Sequence, residues 1–196
     1  MKILITAFDP FGADSENSAH LAMVLLPDKT EKHVIIKATL PVVYYKSAEK
    51  LKALIGEHKP DAVICLGQAA GAAAIRIERI AINLDDKDFA DNDGNIHIDK
   101  AIVEGGKAAY FATLPTREMM EASRNINIPA YLSYTAGNYV CNHIMYALLD
   151  YIKDTSTIGG FIHIPSTLEQ AKGKSNMPSM NSSDVCAGLV AMLGVL

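Results

Sequence analysis

Two reactive side chains lie at junctions between predicted strands and helices, where α/β proteins commonly bind their ligands. Cys141 follows the turn 135–138 and lies at or next to the start of an amphipathic helix. Because a helix N-terminus favours negative charge, it stabilises a thiolate, the nucleophilic form of cysteine. His163 interrupts an apolar strand just before Pro165, where an imidazole could serve as a general base. These positions predict a nucleophile and a base.

Each of these residues also has a plainer interpretation. Cys141 could be a small buried residue on the apolar helix face that includes Met145 and Leu149. His163 could simply be held by a backbone carbonyl. The joint placement favours chemistry, because the helix after Cys141 leaves one rim of the sheet and the next strand returns to that rim. Such a pair then needs a group that orients the second imidazole nitrogen.

Several acidic residues could supply that orienting group. Glu78 stands out because it interrupts the apolar strand 75–83, and a half-buried carboxylate needs a partner. A salt bridge with Arg76 or Arg79 would also satisfy it, and the sequence leaves both interpretations open. The other candidates belong to one acidic segment and are Asp85, Asp86, Asp88, Asp91 and Asp93.

Alternating strand and helix patterns surround these residues and must position them. The predicted strands are 2–7, 34–39, 62–66, 75–83, 108–111, 130–134 and 161–164. The first predicted helix is capped by Asn17 or Ser18, and the last by Ser182 or Ser183. The helices between them begin at Ser47, at Pro115 and Thr116, and at or next to Cys141. Strand–helix–strand order is typical of parallel crossover units. We therefore expect residues 1–196 to form a single-domain three-layer α/β/α sandwich with a mostly parallel or mixed central sheet.

The sequence also predicts the buried face of the first helix and the conformation of an acidic segment. The first helix is expected to bury an apolar face made of Leu21, Val24 and Leu25, and to stop at Pro27. Residues 85–93 are expected to form an acidic loop.

Composition argues against several classes of function. The 196 residues are 49% hydrophobic and 20% charged, which is enough apolar material for one large core. A formal net charge of −4 indicates no surface for nucleic acid or an anionic membrane. No apolar run reaches the roughly 18 residues that a membrane span needs.

The cysteines indicate the redox environment of the protein. Cys65, Cys141 and Cys186 form neither a disulfide framework nor a paired zinc-binding pattern. A reducing compartment fits this usage best. Phosphate-loop and calcium-loop patterns are also incomplete, so the sequence predicts no nucleotide or metal site.

Five motifs, in order along the chain, resemble those of one enzyme family. They are Phe8-Asp9-Pro10-Phe11-Gly12 with Asn17, Gly67-Gln68, Glu78-Arg79-Ile80-Ala81-Ile82-Asn83, Gly137-Asn138-Tyr139-Val140-Cys141-Asn142 and Gly160-Phe161-Ile162-His163-Ile164-Pro165. Together they resemble pyroglutamyl peptidase type I, also called pyrrolidone-carboxylate peptidase. The resemblance implies a cytoplasmic cysteine peptidase (a thiol protease and hydrolase) that removes an N-terminal pyroglutamyl residue from peptides and assembles as a homotetramer.

The resemblance also implies a role for each matched catalytic position. Cys141 is expected to be the nucleophile, His163 the base that activates it, and Glu78 the carboxylate that orients His163. Chemistry of this kind, acyl transfer through a thioester, needs no metal or organic cofactor.

The substrate pocket is implied in the same way. Phe8 and Phe11 are expected to line the pocket for the lactam ring, with Asn17 and Gln68 near the substrate. A pyrrolidone ring is flat, small and uncharged, so aromatic walls and a few amide hydrogen bonds can select it.

Two positions depart from the family pattern. Members usually have an arginine directly after the glycine matched by Gly71, where this chain has Ala72, and another arginine at the position of Asp88. These changes could weaken oxyanion stabilisation or alter the closure of the acidic loop. Two alternatives therefore stay open. One is a related cysteine-dependent amidase with a different acyl preference, and the other is a protein that binds a lactam or a peptide terminus without cleaving it.

Overall fold

The fold is built from short strands and helices that alternate along the chain. The computed structural model describes residues 1–12 and 15–196. The strands, in chain order, are β1 (Lys2–Phe8), β2 (Val34–Leu40), β3 (Ala62–Ala69), β4 (Ile75–Glu78), β5 (Ile80–Ile82), β6 (Asp85–Lys87), β7 (His97–Lys100), β8 (Ala109–Phe111), β9 (Ala130–Ser133) and β10 (Ile158–Pro165). The helices are α1 (Ser18–Leu25), α2 (Tyr44–His58), α3 (Thr116–Asn125), α4 (Val140–Ile152), α5 (Leu168–Ala171) and α6 (Ser182–Leu193). No helix in these ranges is long and apolar enough to cross a membrane.

A six-stranded mixed sheet lies at the centre, in the order β2-β1-β3-β10-β4-β9. All neighbouring strands are parallel except β10 and β4, which are antiparallel. Helices α1, α3 and α6 pack together on one side, while α2 and α4 pack together on the other. The predicted α/β/α sandwich with a mostly parallel or mixed sheet is therefore confirmed.

Alternation along the buried strands divides the core into two layers. Ile3 and Ile5 of β1 belong to the layer under α1, α3 and α6, whereas Leu4 and Phe8 belong to the layer under α2 and α4. Successive strand residues point to opposite faces, so a strand buried on both sides is apolar throughout. This arrangement explains the continuous apolar runs in the sequence.

The buried face of α1 differs from the prediction. Val24 and Leu25 are 57% and 53% exposed, whereas Ala19 and Ala22 are fully buried. Small side chains allow a helix to approach the sheet closely, and α1 contacts both β1 and β3. The prediction was therefore wrong for Val24 and Leu25, whereas Leu21 is half-buried.

The predicted strand 75–83 is split at Arg79. Its first part, β4, joins the central sheet, whereas β5 pairs with β8 in a separate two-stranded sheet. The predicted acidic loop is also more ordered than expected, because β6 pairs with β7 in an antiparallel hairpin. Asp85 and His97 are buried in this hairpin, and the hydrogen bond between them stabilises a segment whose composition is typical of a loop.

Helix starts were predicted with mixed accuracy. The Asn17 side chain caps α1, in agreement with one of the two candidates, but Asn181 rather than Ser182 or Ser183 caps α6. Helix α2 begins three residues before the predicted start, at Tyr44. The Asp91 carboxylate accepts a hydrogen bond from the Tyr44 backbone N–H and so acts as a cap from a distant segment.

Candidate active site

Cys141 lies in the first turn of α4. The chain approaches this helix through Gly137, whose φ of 83° lies in the left-handed region that glycine adopts without strain. The N-cap residue, Tyr139, makes no side-chain hydrogen bond to the first turn within the described residues. The Tyr139 side chain therefore does not use the backbone N–H groups of this first turn, in which the half-buried Cys141 lies.

His163 and Glu78 form a buried pair on neighbouring strands. Antiparallel pairing of β10 and β4 brings the two residues together, with 2.8 Å between His163 Nδ1 and Glu78 Oε1. The Glu78 side chain is fully buried, and His163 is 8% exposed. A carboxylate in this position fixes the ring orientation and leaves Nε2 for a second partner.

The arginines that could have paired with Glu78 contact aromatic rings instead. The Arg76 guanidinium lies 5.8 Å from the Tyr131 ring, and that of Arg79 lies 5.9 Å from the Tyr134 ring. Among the described residues, no ion pair within 4 Å joins either arginine to Glu78. The alternative of a plain salt bridge is therefore not the arrangement that the fold adopts.

The second partner of His163 is Cys141, with which it shares a side-chain hydrogen bond. Burial lowers the pKa of His163, but the charge and hydrogen bond of Cys141, together with those of Glu78, outweigh it and raise the pKa to about 9. At neutral pH the imidazole is then protonated between two groups that can carry negative charge. This arrangement can stabilise a thiolate–imidazolium pair, the reactive form of a nucleophilic cysteine.

Gly67 provides the space in which this pair meets. A Cβ atom at this position would lie 2.6 Å from Cζ of Phe161 and 3.0 Å from Sγ of Cys141. Both distances are shorter than an ordinary van der Waals contact, so any larger residue would displace the nucleophile or the ring. The Gly67-Gln68 motif includes this glycine, but the sequence does not show why a glycine is needed here, because Phe161 and Cys141 are distant in sequence.

A cavity of about 90 Å³ opens beside the Cys141 thiol. All four predicted substrate-binding residues line it: Phe8, Phe11, Asn17 and Gln68. Sequence reasoning missed the remaining lining residues, which are Val42, Phe89, Tyr139 and Val140. Tyr139 and Val140 could have been found from their position next to Cys141. Val42 and Phe89 come from separate segments that only the tertiary structure brings together.

The polar lining residues are already engaged with the protein. Asn17 Oδ1 accepts a hydrogen bond from the Ala19 N–H at 3.0 Å, and its Nδ2 donates to the Asp9 carbonyl at 3.2 Å. Gln68 Oε1 accepts a hydrogen bond from the Ser18 N–H at 2.8 Å. These contacts fix the cavity wall at the start of α1.

Asp85, another candidate for the orienting group, lies in a different cluster. Its Oδ2 atom is 2.8 Å from His143 Nδ1 and 3.0 Å from His97 Nδ1, and its side chain is fully buried. His143 belongs to α4 and His97 to β7, so Asp85 joins the hairpin to the helix that carries Cys141. Across residues 1–12 and 15–196, no group of three or more His, Cys, Asp or Glu side chains is arranged to hold a metal ion.

Asp91 organises the acidic segment. It accepts hydrogen bonds from the backbone N–H groups of Tyr44, Asp93 and Asn95 and from the Asn95 side chain. Burial opposes its ionisation, but these hydrogen bonds outweigh burial and hold the pKa of Asp91 below its usual range. Its contacts are therefore those of a structural residue.

The remaining acidic candidates for the orienting group do not contact His163 either. Asp86 accepts from the Asp99 N–H, Asp93 pairs with Lys46, and Asp88 is exposed. Ala72, where the family pattern has arginine, is buried in the turn after β3. Neither Ala72 nor Asp88 is among the residues that line the cavity.

Comparison with known proteins identifies the family. Residues 1–195 match the family model described as pyroglutamyl peptidase. The chain is 48% identical to a pyrrolidone-carboxylate peptidase of Thermosipho africanus, over 98% of this chain and 95% of the relative. It is 47% identical to that of Alkaliphilus oremlandii, over 98% of this chain and 92% of the relative.

Solved structures show the same similarity. The crystal structure of Bacillus amyloliquefaciens pyroglutamyl peptidase I superposes with a TM-score of 0.93 at 39% identity, covering 97% of this chain and 94% of that one. The pyrrolidone carboxyl peptidase of Thermococcus litoralis gives a TM-score of 0.95 at 36% identity, covering 99% and 92%. The resemblance inferred from the five motifs is thus confirmed, and this chain belongs to the pyroglutamyl peptidase family of cysteine peptidases.

Proposed function

We propose that this protein removes an N-terminal pyroglutamyl residue from peptides, with Cys141 as nucleophile, His163 as general base and acid, and Glu78 as the residue that orients His163. The observation that carries this proposal is the buried Glu78–His163 pair, whose imidazole hydrogen-bonds to Cys141 at the edge of a small cavity. Membership of the pyroglutamyl peptidase family supports the choice of substrate.

The reaction follows from these positions. The Cys141 thiolate attacks the carbonyl carbon that joins pyroglutamate to the next residue, and the N–H groups at the start of α4 stabilise the resulting oxyanion. The His163 imidazolium donates its proton to the departing amine, which leaves a thioester on Cys141. His163 then takes a proton from water, and the hydroxide releases pyroglutamate. No metal or organic cofactor enters this scheme.

The side chains that line the cavity support a lactam as its ligand. Aromatic rings of Phe8 and Phe11 offer apolar walls for a flat ring, and the amides of Asn17 and Gln68 contribute the polar part of the lining. None of the described lining residues is acidic. A carboxylate would be expected in a pocket that binds a free α-ammonium group, whereas pyroglutamate has no such group.

Two outcomes of one assay separate this proposal from its alternatives. We expect hydrolysis of pyroglutamyl 4-nitroanilide, with much slower hydrolysis of prolyl 4-nitroanilide. Cys141→Ala should lower turnover by about 10³-fold or more, while the matched control Cys186→Ala should leave it unchanged. Preference for another acyl group would indicate a related amidase. Tight substrate binding without any product would indicate a binding protein.

We further propose that the protein works as a homotetramer in the cytoplasm. The family resemblance suggests this assembly, and large apolar side chains remain exposed on the single chain, including Phe111 at 66% and Ile98 at 58%. The three free cysteines suit a reducing compartment, which a catalytic thiol requires. Light scattering after size-exclusion chromatography should give the mass of four chains, and the mass of one chain would refute the tetramer.

A further inference from the structure

Gln170 connects three segments around the candidate pocket. It lies in α5, seven residues after His163 along the chain. Its Nε2 atom is 2.9 Å from Gln68 Oε1 and 3.1 Å from the carbonyl oxygen of Glu16. Gln170 therefore joins the end of β3 and the segment before α1 to α5, which follows the strand that carries the candidate base.

The orientation of the Gln170 amide is fixed from its other end. Gln170 Oε1 accepts a hydrogen bond from the Thr167 N–H at 2.9 Å, and the Thr167 hydroxyl accepts from the Gln170 N–H at 3.1 Å. This reciprocal capping box determines which end of the amide is oxygen. The donor end then faces Gln68.

The contact with Gln170 in turn restricts the Gln68 amide. Gln68 Oε1 accepts two hydrogen bonds, one from Gln170 Nε2 and one from the Ser18 N–H at 2.8 Å. A carbonyl oxygen has two lone pairs, so both are used. Turning the Gln68 amide by 180° would place its NH₂ group against two donors, which fixes one orientation.

We propose that Gln170 is a positioning residue that holds the Gln68 amide in the orientation required to bind the lactam ring. Because the oxygen of the Gln68 amide is held by Gln170 and Ser18, its NH₂ group has a fixed direction in which it can donate to a lactam carbonyl. Gln170 does not line the cavity and acts through Gln68. This inference rests on the proposed function, because it assumes that the cavity binds pyroglutamyl substrates.

The substitution Gln170→Glu isolates this effect. The new carboxylate still accepts from the Thr167 N–H, so the capping box is retained, but it donates no hydrogen bond to Gln68. We expect KM for pyroglutamyl 4-nitroanilide to rise about tenfold, with kcat changed less than about threefold, because the loss concerns substrate binding. Gln170→Met removes the donor without adding charge and should give a change in the same direction.

Two controls separate positioning from a general structural effect. Thr167→Ala removes the side-chain half of the capping box but leaves the Gln170–Gln68 contact, so KM should remain within about twofold of the original value. In a Gln68→Ala background, Gln170→Glu should change KM less than about twofold, because the contact through which Gln170 is proposed to act is missing. Thermal unfolding of each variant shows whether the fold is retained.

The results that overturn the inference are distinct from those that overturn the proposed function. An unchanged KM in folded Gln170→Glu and Gln170→Met proteins would refute the positioning role. An equal rise in KM with and without Gln68, or the same rise in Thr167→Ala, would also refute it. If the original protein fails to hydrolyse the pyroglutamyl amide, the proposed function itself is wrong and the inference falls with it.

Discussion

Two of the buried carboxylate–histidine contacts among the described residues have the same hydrogen-bond distance but different surroundings. Glu78 and His163 are 2.8 Å apart, as are Asp85 and His143, and both carboxylates are fully buried. In the first pair, the other side of the imidazole hydrogen-bonds to Cys141. In the second, Nε2 of His143 is buried without a hydrogen-bond partner among the described residues.

The surroundings of the second pair indicate a structural role. Asp85 also contacts His97, whose ring stacks on Tyr44 with 4.0 Å between the ring centroids. The His143 ring packs edge-on against Tyr44 and Tyr45. This cluster joins the β6–β7 hairpin to α2 and α4. A buried carboxylate–histidine contact is thus insufficient evidence for catalysis, and the group facing the second imidazole nitrogen distinguishes the two pairs.

The largest expected difference between the pairs is in turnover. We expect His163→Ala to lower kcat/KM by about 10³-fold, because general acid–base catalysis is lost. The matched variant His143→Ala should retain kcat/KM within about tenfold, because this imidazole does not reach Cys141. Steady-state hydrolysis of pyroglutamyl 4-nitroanilide measures both. Equal losses in the two variants would mean that the pairs do not differ in function.

A smaller loss of turnover is expected when the charge of Glu78 is removed. Glu78→Gln keeps an oxygen that can accept from His163 Nδ1, but it removes the negative charge that stabilises the imidazolium. We expect kcat to fall roughly 10²-fold at neutral pH while the fold is retained. The same substitution in the second pair, Asp85→Asn, should change kcat by less than about threefold. Full activity of Glu78→Gln would show that His163 needs no carboxylate.

The dependence of the rate on pH tests the charge of His163. Since its pKa is raised to about 9, the imidazolium is present at neutral pH and is lost as the pH rises through that value. The rate should therefore fall on the alkaline side near pH 9, because the leaving amine no longer receives a proton. Glu78→Gln removes a group that raises this pKa, so the fall should move to lower pH. An alkaline limb at the same pH in both proteins would contradict this assignment.

The smallest expected effect is a decrease in the stability of the protein when the Asp85–His143 pair is altered. Asp85→Asn weakens two hydrogen bonds that are now made to a carboxylate, so the free energy of unfolding should fall by about 1–3 kcal/mol. Urea unfolding monitored by circular dichroism measures this change. An unchanged midpoint would show that Asp85 does not secure the hairpin to α4.

Much of the fold could be predicted because its signals are local. Apolar runs identify β1, β2 and β3, and the spacing of apolar residues from Val140 to Ile152 identifies α4. The close approach of α1 to the sheet was not predictable in this way. It depends on which small residues face the core, and periodicity alone does not distinguish Ala22 from Leu25.

The residues of the candidate site were likewise predictable only where they leave a local signal in the sequence. Cys141 and His163 could be predicted because a helix start and a strand end both leave local patterns, and the motifs indicated Phe8, Phe11, Asn17 and Gln68. The roles of Gly67 and Gln170 could not, because each depends on atoms that are distant in sequence. For the same reason, sequence reasoning could not assign Asp85 to His143 rather than to His163.

Alkylation by iodoacetamide reports the reactivity of each thiol and so measures directly whether Cys141 is the activated nucleophile. We predict that mass spectrometry will show modification of Cys141 in direct proportion to the loss of turnover, well before Cys65 or Cys186 reacts. Glu78→Gln should slow this modification, whereas Asp85→Asn should not. Turnover that persists after complete alkylation of Cys141, or equal alkylation rates in the two variants, would show that Cys141 is not a nucleophile activated through Glu78.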